Sequence, residues 1–293
     1  MSAVKVALGR RLFADPRLSV TGRYSCASCH DPARAFTDGR GVAIGATGEA
    51  LSRSAMTLFN TAYNITFGWS EPDVQSLEAQ MLKPLFNAHP VELGLAGRQD
   101  AVCTTLRGDP RYARAFAAAF PESRAALTFD HVVKAIAAYE RTLISGNSPF
   151  DRYVFNGEHD ALTPDAKRGM ALFFSPRAGC SACHSGLNFA GNWRDSQGET
   201  GSASFAGNGL DSAPMRVPTL RNIALTAPYM HDGRFPTLPA VLEHYASVAA
   251  RARSQKEATA DPRLAAFDLS AAERSDLIRF LESLTDPTLQ PGR

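Results

Sequence analysis

The sequence has no long apolar run: nowhere does it approach the roughly 18 consecutive apolar residues that a membrane-crossing helix needs. Nor does one sign of charge dominate, since 31 Lys and Arg stand against 29 Asp and Glu, a net charge of +2. The densest basic stretch, around Arg251, Arg253 and Lys256, is interrupted by alanine and Glu257 and reads as a solvated helix end or loop. Nucleic acid is excluded as a partner, because neutralising phosphates needs a clustered basic face. Strand-like alternation is scarce, which predicts a mostly α fold. A secretion signal is also missing: Met1-Ser2-Ala3 runs straight into Val4 to Leu8. Cysteine is sparse, with five in all.

Four of those five cysteines form Cys26-Ala27-Ser28-Cys29-His30 and Cys180-Ser181-Ala182-Cys183-His184. Two thiols three positions apart can each form a thioether to one vinyl group of a haem. The histidine that follows then reaches the iron from the proximal side. One such motif could be a redox dithiol or half a zinc site beside an unrelated histidine, but two copies in matching contexts point to two covalently bound c-type haems. His30 and His184 are the expected proximal ligands. Haem is normally attached outside the cytoplasm, so a periplasmic location is expected, with a signal removed from or replaced in this chain. Cys103 stands alone on a helical stretch and reads as a small buried hydrophobe.

A loose internal repeat gives the architecture. Leu8-Gly9-Arg10-Arg11-Leu12-Phe13 precedes the first motif and Lys167 to Phe173 the second, each as the end of an amphipathic helix. Each half then closes with another helix. The first spans Thr128 to Ile144 with Thr128 as N-cap. The second spans Ser270 to Leu284, where Ser270 and Glu273 sit at capping-box spacing. Further helices are predicted at Asp73 to Leu85, Asp100 to Leu106 and Pro110 to Phe120. Ser185 to Pro218 is rich in Gly, Ser and Asn and reads as a long loop around a cofactor. Two cytochrome c-like domains are expected, 1–148 and 149–293, parted near the turn-rich Ser145 to Pro149.

What lies opposite each proximal histidine decides the chemistry, because a strong sixth ligand makes an electron carrier and an open face admits peroxide. His89, His131, His159, His231, His244, Met215, Met230, Tyr229 and Tyr245 are all candidates, and spacing does not choose among them. His131 and His159 read as helix-surface or loop residues.

Over nearly its whole length the chain resembles the bacterial dihaem cytochrome c peroxidases, in particular the branch containing MauG and MbnH. The resemblance rests on Leu8 to Phe13 with Asp15 to Ser19, both haem motifs, Ala62-Tyr63-Asn64 with Trp69, and Gln80 to Pro84. It continues through Pro90 to Gly94, Val217 to Asn222 and Pro228 to Gly233. Trp69 to Leu95 looks most like MbnH-type members.

Carried over residue by residue, the resemblance separates two activities. Respiratory peroxidases cap one iron with a histidine some sixteen positions after the first haem histidine, and Ala46 stands there. This implies a first haem open to peroxide. Where respiratory members carry a methionine ligand eight residues after the threonine of a Thr-Leu motif, Thr237-Leu238 leads to Tyr245, which implies a phenolate-ligated second haem. His244 is the rival ligand, and Met230 reads as packing. Glu92 matches the family's acid/base glutamate and Gln80 a neighbouring hydrogen-bonding residue, with Pro84 lining the same pocket. Trp69 matches a tryptophan that relays charge between the haems. Trp193 has no family counterpart. The surface tryptophan that MauG uses before its second motif is absent, with Ala178 and Gly179 in that region. The resemblance also implies a calcium ion held by a side-chain oxygen at Ser54, usually asparagine, and the carbonyls of Thr226 and Pro228.

The activity so implied is that of an oxidase in which hydrogen peroxide generates a high-valent two-haem state. That state then oxidises an aromatic residue, a tryptophan, on a partner protein. MbnH-type members imply a small periplasmic copper-associated partner. The alternatives are a respiratory peroxidase, against which Ala46 and Tyr245 speak, and a plain dihaem electron carrier.

Overall fold

The computed structural model describes residues 1–71, 73–123, 127–191, 215–254 and 267–289. The chain divides into two compact units, Met1–Asn64 with Val74–Ile144, and Ile65–Asp73 with Ser145–Arg293. Among the described residues the elements are helical, and strand pairing is confined to isolated bridges such as Asp31 with Thr37.

In the first unit, α1 (Ala3–Phe13) is capped by the Ser2 side chain, which accepts from the Lys5 amide. The single turn α2 (Cys26–Cys29) carries the first haem motif, and α3 (Leu77–Phe86), α4 (Gln99–Arg107), α5 (Pro110–Ala119) and α6 (Phe129–Glu140) follow. α1 lies against α6. The approach needs glycine, because a Cβ on Gly9 would stand 1.8 Å from the Ala135 carbonyl oxygen. Around that crossing Leu8, Leu12, Phe13, Val132 and Ile136 are buried, each contributing about 1.5–3 kcal/mol. Cys103 is buried on α4, as a small hydrophobe would be. His131 is less peripheral than expected: its ring stacks on Phe120 with centroids 4.1 Å apart.

The second unit repeats the scheme. α7 (Pro149–Phe155) opens it, α8 (Pro164–Phe173) precedes the haem motif, and α9 (Leu238–Arg253) and α10 (Ala271–Glu282) follow. α8 lies on α10, and a Cβ on Gly169 would stand 1.9 Å from the Asp276 carbonyl oxygen. Ser270 and Glu273 cap α10 reciprocally. Phe150, Phe173, Phe189 and Phe280 form the aromatic core. A buried ion pair holds the unit's start to its haem loop: Arg221 donates to both Asp151 oxygens at 2.8 and 3.0 Å and to the Leu187 carbonyl at 2.7 Å.

The units part after Ile144, slightly before the boundary expected from sequence. Ser145, Gly146 and Asn147 are held in the second unit, where Asn222 donates to the Ser145 hydroxyl and Asp286 accepts from the Gly146 and Asn147 amides. Ile65–Asp73, from the first half of the sequence, also belongs to the second unit. Arg216 explains this, donating its amide to the Trp69 carbonyl at 2.7 Å and its Nε to the Gly68 carbonyl at 2.9 Å. Arg251 and Arg253 end α9, whereas Lys256, Trp193 and most of the Ser185–Pro218 loop lie outside the described residues.

Candidate functional site

Both haem motifs are prepared in the same way on the proximal side. In the first unit Ser25 and Ser28 cap each other around α2, which fixes the turn carrying Cys26 and Cys29. The His30 amide bonds back to the Cys26 carbonyl at 2.9 Å, and its Nδ1 lies 3.0 Å from the Phe36 carbonyl oxygen. A carbonyl can only accept, so Nδ1 carries the proton and Nε2 keeps the lone pair that iron would take. Burial holds the His30 pKa low and the ring neutral. The second unit repeats this: His184 Nδ1 lies 3.0 Å from the Phe189 carbonyl, and burial again lowers its pKa.

The carbonyls are aimed by a left-handed turn, with φ of 59° at Phe36 and 49° at Phe189. A threonine braces each turn: Thr57 donates to the Ala35 carbonyl and Thr219 to the Asn188 carbonyl, both at 2.7 Å. Three residues on, Asn60 and Asn222 adopt φ of 59° and 60°, and their amides bond to Leu143 and Leu284 at the ends of the closing helices. These bracing residues were missed as functional in the sequence. Their signal was there: Thr57-Leu58-Phe59-Asn60 and Thr219-Leu220-Arg221-Asn222 repeat Thr-Leu-x-Asn after each haem motif.

Burial pushes the Cys26 thiol far up, the Cys29 thiol to about 11 and the Cys180 thiol to about 12. Among the described residues no three His, Cys, Asp or Glu side chains converge to hold an ion.

The other candidates in the first unit come together. Val91 to Leu95 runs alongside α3 through the Leu93 amide to the Pro84 carbonyl at 2.9 Å and the Leu95 amide to the Leu85 carbonyl at 2.8 Å. Glu92 therefore sits beside Pro84, one helical turn from Gln80. On its other side the Glu92 carbonyl accepts from the Ala46 amide at 2.6 Å, and a Cβ on Gly45 would stand 1.9 Å from the Val91 carbonyl oxygen. The Cys29 sulfur approaches the Ile44 carbonyl at 3.9 Å, and the Glu92 charge acts on that thiol. Gln80 Oε1 is buried without a hydrogen-bond partner, an orphaned acceptor suited to a water or a protonated ligand. Ala46 is itself buried.

In the second unit Tyr245 lies on α9 against the aromatic core, its ring centroid 6.4 Å from that of Phe267. Burial first, then the neighbouring Cys180 and Cys183 sulfurs, hold its phenol pKa well above the usual range. His244 turns to Phe235, centroids 4.9 Å apart. Trp69 meets the buried His231 edge to face at 6.3 Å. Met230 is half-buried at φ 73°. Ser54 falls in the first unit, and Thr226 and Pro228 in the second, with Pro228 following a cis peptide bond.

Two cytochrome c-like scaffolds, each with a prepared Cys-x-x-Cys-His loop, define a two-haem c-type cytochrome. The chain belongs to the di-haem cytochrome c peroxidase family, which it matches over residues 3–160, with a cytochrome c match over 166–285. It is 38% identical to the methylamine utilization protein MauG of Methylorubrum extorquens, over 96% of this chain and 78% of that protein. Cytochrome c551 peroxidase of Pseudomonas aeruginosa is 33% identical over 78% of this chain and 67% of its own. Among solved structures, a MauG-like protein associated with microbial copper homeostasis matches with a TM-score of 0.89 at 36% identity, covering 99% of this chain and 91% of that one. The chain is thus a haem-dependent oxidoreductase of a MauG-like, dihaem type. No described helix is long and apolar enough to cross a membrane.

Proposed function

We propose that this protein uses hydrogen peroxide to oxidise an aromatic residue, a tryptophan, on a separate protein. The observation that carries the reading is Ala46, a buried methyl whose amide is tied to Glu92, standing where a respiratory peroxidase would carry its capping histidine. When bound, the two haems supply the redox chemistry that consumes peroxide and holds two oxidising equivalents. The chain supplies the rest. Cys26 and Cys29, and Cys180 and Cys183, anchor the groups, and His30 and His184 offer Nε2 to them. Glu92 takes a proton from the near oxygen of peroxide and returns it to the far one. Gln80 orients peroxide or water through its orphaned Oε1, and Pro84 closes the pocket. Tyr245 would help hold the second haem through its phenol oxygen, an anionic ligand that favours the oxidised metal. Trp69, packed on His231, would be the aromatic group that carries charge.

The copper-homeostasis association of the MauG-like neighbour supports a small copper-associated partner protein, met in the periplasm.

The test is an EPR and optical spectrum of the diferric protein, repeated after one equivalent of hydrogen peroxide. One high-spin signal followed by a long-lived two-electron-oxidised species is expected. Two low-spin signals with activity only after half-reduction would make it a respiratory peroxidase, and no response to peroxide would make it an electron carrier.

A further inference from the structure

Of the buried acids that the peroxide chemistry leaves unused, Glu140 stands apart. It is the last residue of α6 and is 8% exposed. No hydrogen bond or ion pair reaches its carboxylate among the described residues, whereas buried Asp15, Asp151 and Asp286 all accept hydrogen bonds. Arg141, the adjacent cation, turns instead to Glu78, donating to both carboxylate oxygens at 2.7 Å. Across the helix end Glu140 comes close enough to Cys26 for its charge to act on that thiol. Burial raises its pKa to about 8, with Arg141 opposing and Glu78 adding to the rise. An uncompensated carboxylate in such a site is costly, so the group stays neutral unless a positive charge appears beside it.

We propose that Glu140 is the redox-linked proton site of the first haem, its carboxylate taking up one proton when the haem attached at Cys26 accepts one electron. The inference rests on the haem attachment proposed above. The ferric haem core carries one positive charge more than the ferrous core, and Glu140 stands at the edge where Cys26 would join it. One electron arrives from an external one-electron reductant, one proton arrives from solvent at the Glu140 carboxylate, and the local net charge is unchanged. Reoxidation reverses both. The charged or titratable groups around Glu140 are Arg141 and Tyr139 on its own helix, Glu78 from α3 and Cys26 from the haem loop, while Arg10 from α1 acts on Tyr139. Ion pairing raises Arg141 and lowers Glu78, and burial raises Tyr139 and Cys26, so all four are held away from neutrality.

The experiment is a mediated spectroelectrochemical titration of the holoprotein at about pH 6 to 9, a range bracketing the group's raised value. The midpoint potential of the His30 haem should fall by up to about 59 mV per pH unit, a tenfold change in the one-electron equilibrium. Glu140→Gln should flatten that dependence and leave the His184 haem unchanged. Glu140→Asp should keep a slope with a displaced midpoint, which a packing role alone would not predict. A redox difference infrared spectrum of the unaltered holoprotein should gain a protonated-carboxyl band on reduction, and this measurement stands even if Glu140→Gln fails to retain haem. A flat potential in the unaltered protein, no such band, or an undiminished slope in Glu140→Gln overturns the proposal. Haem content measured by intact mass separates this from failure of the attachment itself.

Discussion

Replacing Glu92 by glutamine tests the acid/base assignment while leaving the main-chain bonds of its segment in place. The segment is fixed by main-chain bonds, Leu93 amide to Pro84 carbonyl at 2.9 Å and Ala46 amide to Glu92 carbonyl at 2.6 Å, none of which involves the side chain. Glutamine keeps size and hydrogen bonding but cannot exchange a proton. Loss of a positioned general acid/base costs about 10²- to 10⁴-fold in rate, or about 3–5 kcal/mol of barrier. The assay is the stopped-flow second-order rate constant for the absorbance change on mixing with hydrogen peroxide, with spectra before mixing unchanged. Gln80→Leu serves as the internal comparison. It removes one orienting hydrogen bond, about 0.5–1.5 kcal/mol, and should slow the reaction only about two- to tenfold. A Glu92→Gln rate within about threefold of the unaltered protein, or equal losses in both variants, would refute the reasoning, because only Glu92 is assigned a proton to move.

Other outcomes follow from the same geometry. Tyr245→Phe should abolish the long-lived oxidised state while both haems remain attached, and unchanged spectra after peroxide would remove the phenol from the iron. Arg221→Met leaves Asp151 buried and unpaired and should destabilise the second unit by about 3–5 kcal/mol, read as a lowered denaturation midpoint; a loss below about 1 kcal/mol would place the pair among the weak exposed ones.

Much of this fold was legible because haem attachment and helix patterning are local. The two Cys-x-x-Cys-His motifs, the amphipathic stripes and the Ser270–Glu273 box each lie within a few residues, and the structure bears out a mostly helical chain. Boundaries were harder. α3 begins at Leu77 rather than Asp73 because the Ser76 hydroxyl takes the Ala79 amide and starts the helix there. α6 stops at Glu140 rather than Ile144 because the chain then turns so that the Leu143 carbonyl can meet Asn60. The long-range parts were not legible at all. The transfer of Ile65–Asp73 into the second unit depends on Arg216, almost 150 residues away, donating to main-chain carbonyls that any sequence would supply. The burial of Glu140 was equally hidden, since it depends on Arg141 turning to Glu78, more than sixty residues away.

The duplication also indicates where the two halves diverged. Proximal machinery is the same in both: an Nδ1 contact of 3.0 Å to a carbonyl on a left-handed turn, a threonine brace of 2.7 Å, an asparagine tied to the closing helix and a glycine beneath it. Since the proximal sides match, they cannot make one haem reactive and the other not. On the proposed function, differences come from the other side chains that each half brings, and among the described residues those sets differ. The first has a buried methyl at Ala46, an orphaned acceptor on Gln80 and the Glu92 carboxyl; the second has a buried phenol on α9. A carboxyl and an unpaired amide oxygen suit a small molecule that must lose and regain a proton. A phenol suits a metal that must remain oxidised. On the proposed function, the division of labour between the haems therefore belongs to Ala46, Gln80 and Glu92 in one half and Tyr245 in the other, and exchanging those sets should exchange the roles of the two haems while leaving both attachment loops undisturbed.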